Sequence, residues 1–301
     1  MTDTAVPVEP LPAGERKTSL GILATTVAVV IWGSASVLVK SIDGIDGVGI
    51  SFYRLAFGTI VLGAVFLVRG GRFTWKMLGA CTLGGIAFGL DILLFFSALR
   101  ETSTANATVI GALQPILLLP IGMRYFGEAV ERRVVAWSLI AVGGTAVVVL
   151  GGAGLPQWSP RGDLLALGAL FTWTAYFVAS KSARAGLGAI EYFTGLTVVA
   201  FVIVTPFTFL SGADVSPNDG SDWIALVAIT VFSGAFGHVL LNWSHPHVPL
   251  QVMSLLTLLV PVVATAGAVW FLDEPVDGLQ WIGMAVVIAA LAEVVRRTPR
   301  H

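Results

Sequence analysis

Asp91, Arg54 and His238 fall inside long apolar stretches of the sequence, where a titratable side chain normally faces a partner or a cavity. Arg54 and Asp91 stand about 9 Å and about 12 Å below the outer ends of their stretches, at ~1.5 Å per residue. Similar depth permits an Arg54–Asp91 pair. The favoured reading of Arg54 is structural: its long side chain snorkels outward and locks its helix against the next. Asp91 is too short to snorkel and is the better candidate to exchange a proton. His238 aligns with Leu90, beside the counterpart of Asp91. It is either a coupling or contact residue or a histidine satisfied by a neighbouring helix carbonyl. Asn242, one turn on, is a polar cavity residue or interhelical glue. Gln114 beside Pro115 and Thr257 one turn before Pro261 are expected to touch a small-molecule ligand; the alternative is that each repairs hydrogen bonding broken by its proline. Trp32 and Trp173, with Tyr176, Phe95, Phe96 and Trp243, could line a cavity for apolar or cationic molecules. His245-Pro246-His247 resembles a metal pair only superficially. With no cysteine or carboxylate nearby it reads as a solvated turn, so no metal or other cofactor is expected.

The elements that must hold these residues are membrane helices. The chain is 56% hydrophobic and 12% charged, with a net charge of −1, and its mean hydropathy is +0.87. A soluble protein carries about twice that charged fraction. No basic surface is present for nucleic acid, and the single cysteine, Cys81, rules out an intramolecular disulfide. Ten spans are predicted at 18–39, 48–68, 77–99, 103–124, 133–151, 163–183, 189–211, 223–243, 247–271 and 279–296, each near the length needed to cross a bilayer. Residues 1–17 read as a polar, disordered tail, 152–162 as a linker and 297–301 as a second tail. Gly79, Gly84, Gly85, Gly89, Gly143 and Gly144 read as close-packing positions between helices.

Of the 17 Lys and Arg residues, thirteen fall on one side and three on the other, which puts both termini in the cytoplasm and the chain in the plasma membrane. The halves 18–151 and 163–296 repeat. Trp32 to Lys40 answers Trp173 to Lys181, Ala87-Phe88-Gly89 answers Ala235-Phe236-Gly237, and Pro115 with Glu128 answers Pro261 with Glu274. Five spans per half is odd, so the second copy must be inverted. Each half also contains a span broken by proline near its middle. Such a break exposes a backbone carbonyl and is tolerated only beside protein or a water-lined cavity. Paired broken spans in inverted halves point to a binding site at the midplane.

Trp32-Gly33 with Lys40, Arg54, Ala98-Leu99 followed by Thr102 to Ala107, the corner Gly127-Glu128, Gly162 to Leu167, and Val248-Pro249 through Pro261 to Glu274-Pro275 resemble the drug/metabolite transporter superfamily, EamA-type branch. The resemblance covers roughly residues 19–296. It implies an all-α basket of ten helices around a central cavity, moving small metabolites such as amino acids, often outward. Two departures stand out: Val260 precedes its proline where many relatives carry an acidic residue, and Asp91 sits where many are uncharged.

A membrane enzyme would need a convergent set of titratable groups, and Asp91, Arg54 and His238 are too few. No nucleotide-binding motif is present, so energy must come from a gradient or from substrate concentration. The expected function is secondary transport of an amino-acid-like metabolite, with protons as the candidate coupling ion. A multidrug or quaternary-ammonium exporter is the alternative, resting on the aromatics. No dedicated oligomer interface is evident.

Overall fold

The computed structural model describes residues 13–40, 42, 45–153, 159–272 and 276–298. The corner at Glu274, the side chain of Lys40, the tail residues 1–12 and 299–301, and residues 154–158 of the linker lie outside the described residues. Every regular element among the described residues is helical. They run α1 (Ala13–Lys40), α2 (Gly47–Val68), α3 (Trp75–Glu101), α4 (Thr104–Gly111), α5 (Gln114–Phe126), α6 (Arg132–Ala153), α7 (Pro160–Ala183), α8 (Ala189–Leu210), α9 (Gly220–Ala228), a π-helical segment (Ile229–Gly237), α10 (His238–Ser244), α11 (Leu250–Thr257), α12 (Leu259–Leu272) and α13 (Gly278–Arg297). They form ten segments long and apolar enough to cross a membrane. Three are composite: α4 with α5, α9 through α10, and α11 with α12.

The helices begin where the sequence supplies caps. Asp46, Thr74, Ser103, Ser159, Asp219 and Asp277 each accept backbone N–H groups from the first turn that follows. Inside the membrane, Thr25, Thr145, Thr174, Thr197 and Thr208 donate to the carbonyl four residues back, which satisfies hydroxyls that have no water to meet.

Packing obeys the repeat. The third span, α3, lies against α7 and α8, the sixth and seventh spans. Its counterpart, the eighth span, lies against α1 and α2 through the π-helical segment, and α10 also packs on α1. The fifth and tenth spans, α6 and α13, pack on each other, and the two broken spans meet through α5 and α11. The half-helices α4 and α11 are eight residues each and stand 146 positions apart. Each half therefore inserts its third span between spans of the other.

Glycine permits the closest of these approaches. A Cβ on Gly85 would come within 2.5 Å of Val199 Cβ and 2.8 Å of the Leu196 carbonyl, and one on Gly84 would strike the Tyr192 hydroxyl. Gly144 and Gly283 face each other across α6 and α13, each within 3.2 Å of the other's carbonyl by the same measure. Gly79 and Gly143 have open space around them, so they are not close-packing positions as expected. The glycine count identifies α3 and α6 as tightly packed, but only the rotation of each helix decides which glycines face a neighbour.

The face at which α1 starts and α13 ends is joined by a charged corner. Gly127, at φ +65°, ends α5 in a left-handed turn and returns Glu128 beneath Gly122, whose missing Cβ leaves the room. Glu128 pairs with Lys181 at the end of α7 and accepts the Leu250 N–H at the start of α11 at 2.9 and 3.0 Å. Lys181 also donates to Val248 O. An acidic group at a helix N-terminus meets orphan N–H donors and the positive end of the dipole. His245 beside this corner is fully buried against Phe177 rather than a solvated turn. Burial, with Lys181 and Arg184 nearby, holds its pKa well below the usual histidine range.

Gly85→Ala is expected to lower thermal stability in detergent by about 1–3 kcal/mol through overpacking, while Gly143→Ala leaves it unchanged or raised. Lys181→Met, which strands Glu128, should cost about 3–5 kcal/mol. The double variant Lys181→Met/Glu128→Gln should recover part of that loss, and strict additivity in the cycle would show the pair to be uncoupled.

Candidate functional site

A cavity of about 280 Å³ lies between the broken spans, in the half of the membrane away from the termini. Trp32 on α1, Asp91 and Phe95 on α3, Thr108 on α4, Trp173 on α7 and Thr257 at the end of α11 line it, with Val260 and Pro261 on α12. Six residues singled out by the sequence thus share one cavity: Trp32, Asp91, Phe95, Trp173, Thr257 and Pro261. They come from four spans, two in each half.

The helix breaks shape this space. α4 ends at Gly111, and α5 begins at Gln114 with Pro115 in its first turn, where a missing N–H costs nothing. α11 ends at Thr257 and α12 begins at Leu259, so the second break precedes Pro261. Thr257 Oγ1 donates to Ser254 O at 2.6 Å, which repairs one carbonyl at the break and leaves its lone pairs toward the cavity. Gln114 itself is buried behind the break. Its side-chain carbonyl accepts from Ser254 Oγ at 3.0 Å across α5 and α11, and its Nε2 has no partner among the described residues. Gln114 and Pro115 are not on the cavity wall.

The aromatic wall is a connected stack. Trp32 and Trp173 stand edge to face with centroids 6.2 Å apart, and Trp173 stacks on Tyr176 at 5.1 Å. Trp32 lies 4.5 Å from His238 and donates its Nε1–H to Ser233 O at 3.1 Å. That carbonyl belongs to the π-helical segment, where the wider turn misaligns backbone pairing and side chains step in as partners. Asn242 is fully buried behind this wall and donates to Tyr176 Oη at 2.9 Å and His238 O at 2.8 Å. It orders the wall and does not line the cavity.

Asp91 has no hydrogen-bond or ion-pair partner among the described residues, and the Arg54–Asp91 pair that depth permits does not form. The reason lies in helix rotation. Asp91 and Phe95, one turn apart, face the 280 Å³ cavity, whereas Phe88 and Ile92 face a separate cavity that holds Arg54 and His238. One residue along a helix is about 100° of rotation, so matched depth does not imply a matched face. Arg54 is half-buried, with its Nε closed off from solvent. Thr108 and Ser254, which the sequence reading passed over, stand 146 positions apart at the two breaks, so the repeat offset carried their signal. The π-helical segment had no such marker. Among the described residues no cluster of three metal-ligating side chains exists.

The EamA-like transporter family profile matches residues 19–150 and again 160–296. The chain is 24% identical over 299 residues to the threonine/homoserine exporter RhtA of Salmonella typhimurium, covering 96% of this chain and 98% of that protein. It is 23% identical over 278 residues to the pseudopaline exporter CntI of Pseudomonas aeruginosa, covering 92% and 96%. A solved crystal structure superposes with a TM-score of 0.80 at 22% identity, over 94% of this chain and 99% of the other, and shows the same fold. A twice-matched family profile, ten spans and a cavity between the broken spans agree: the chain is a multi-pass membrane protein and belongs to the EamA-like transporter family.

Proposed function

We propose that this protein exports small amino-acid-like metabolites across the plasma membrane by alternating access, with Asp91 as the coupling group. The reading rests on one observation: a carboxylate without a hydrogen-bond or ion-pair partner among the described residues shares a 280 Å³ cavity with two tryptophans. An anionic group in hydrocarbon is stable only beside a counter-charge, a proton or water. A substrate ammonium fits that need, since Asp91 supplies the charge while Trp32 and Trp173 supply cation–π faces. Thr108 and Thr257 add hydroxyls that can accept or donate to a polar substituent. Asp91 would then carry either a proton or the substrate's ammonium, never both, which is the logic of proton–substrate antiport.

The units 18–151 and 163–296 would rock against each other about the cavity. With the termini in the cytoplasm, as the Lys/Arg distribution predicts, the Glu128–Lys181–Leu250 corner closes the inner face and the cavity lies in the outer half. The relatives exporting threonine, homoserine and pseudopaline support an amino-acid-like substrate. The aromatic pair also favours a second reading, export of quaternary-ammonium compounds, in which the same cavity holds a permanent cation.

Proteoliposomes with lumenal pH recording separate the two. Amino-acid flux should move protons in the opposite direction, and Asp91→Asn should abolish the proton movement and reduce flux about 100-fold, in the range expected for loss of an essential acid–base group. Flux and pH change that survive in Asp91→Asn would remove Asp91 from the coupling path. Trp32→Ala and Trp173→Ala should raise KM about tenfold, the worth of one desolvated cation–π contact. Transport of hydrophobic cations alone would put the second reading first.

A further inference from the structure

A second, smaller cavity of about 20 Å³ lies between α2, α3, α8 and the π-helical segment, walled by Arg54, Phe88, Ile92, Thr197, Gly234 and His238. Space of that size admits one particle of about the dimensions of a water molecule. The guanidinium of Arg54 offers five N–H donors and no acceptor, and it makes no hydrogen bond or ion pair with any described residue. Ser51 and Thr197, also on the wall, donate their hydroxyl protons to Gly47 O and Phe193 O at 2.8 and 2.7 Å, and neither oxygen reaches the guanidinium.

His238 adds a second donor. Asn242 Nδ2 donates to Tyr176 Oη at 2.9 Å, and that oxygen lies 3.4 Å from Nδ1 of His238, where either the hydroxyl or the ring can be the donor. A ring whose Nδ1 accepts carries its proton on Nε2. The ring is held in place by stacking on Phe193 at 5.1 Å and by a tilted contact with Trp32 at 4.5 Å. With Nδ1 as the acceptor, the wall holds a cation and an N–H donor, and among the described residues no Asp or Glu lines it. A buried cation without a counter-charge is costly, and a small anion relieves that cost.

We propose that this cavity binds one small monovalent anion, held by the Arg54 guanidinium and the Nε2–H of His238. Chloride and the carboxylate of an amino-acid substrate share this chemistry. The site goes beyond the transport reading and does not depend on which molecule is moved.

The test uses the purified full-length chain in detergent, exchanged into gluconate at constant ionic strength and titrated with chloride or bromide. Thermal unfolding and tryptophan fluorescence are the readouts, Trp32 being the reporter beside His238. A saturable rise of the unfolding midpoint with halide is expected in the wild-type protein. In Arg54→Gln the apparent affinity should fall about tenfold or more, and in His238→Gln by less. Threonine and threoninamide, added to the chloride-loaded protein, separate the sources. Competition by threonine alone assigns the site to a carboxylate, and competition by neither assigns it to an inorganic anion. Should Arg54→Gln fail to fold, a bromide anomalous peak beside the guanidinium in wild-type crystals decides the question. No saturable halide response in the wild type, or an equal response in Arg54→Gln, overturns the proposal.

Discussion

Hydrocarbon supplies no hydrogen bonds, and that constraint governs every polar group within the spans. Backbone groups are satisfied along the helices, threonine hydroxyls turn back onto their own carbonyls, and Asn242 and Gln114 bond across helices. Where the backbone departs from the α-helix, a side chain or a cavity stands beside it. Trp32 meets the carbonyl of Ser233 in the π-helical segment, and Thr257 meets that of Ser254 at the second break. Asp91 and Arg54 are charged groups within the spans with no hydrogen-bond or ion-pair partner among the described residues, and each faces its own cavity. A ligand in either cavity can answer the charge that the fold leaves there.

The inverted repeat turns this constraint into a symmetric device. Each half threads its third span between spans of the other, and the two broken spans meet at α5 and α11. The cavity draws its walls from both halves, so rotation of one half against the other must change its shape. Close glycine contacts at Gly84, Gly85, Gly144 and Gly283 hold the remaining crossings tight, which restricts motion to interfaces built from side chains.

Hydropathy and Lys/Arg counts were enough to define ten spans, and internal offsets enough to expose the repeat, because both signals survive averaging over many residues. Proline marked two breaks for the same reason that it makes them. The third irregularity, at Ile229–Gly237, contains no proline and left no comparable mark. Residue type also revealed Asp91, Trp32, Trp173 and Thr257, since each is unusual or repeated at its depth. The partnership of Arg54 was not readable: it depends on the rotation of α2 and α3 about their axes, and about 100° separates Asp91 from Ile92. Burial of His245 was equally hidden, because a polar Ser-His-Pro-His run looks like a loop until Phe177 and its neighbours cover it.

The second break gives the ninth span an asymmetric mechanical character. Below Leu258 the stub α11 is almost wholly buried and tethered to Glu128 through the Leu250 N–H. Beyond it, α12 continues for fourteen residues, about 21 Å of stiff rod at ~1.5 Å per residue. With one end fixed and the pivot beside the cavity, a tilt of about 10° would carry the far end of α12 sideways by about 4 Å while the residues at the cavity wall hardly shift. The span is a lever whose fulcrum lies at the ligand, so a small rearrangement around a bound molecule is magnified at the membrane surface.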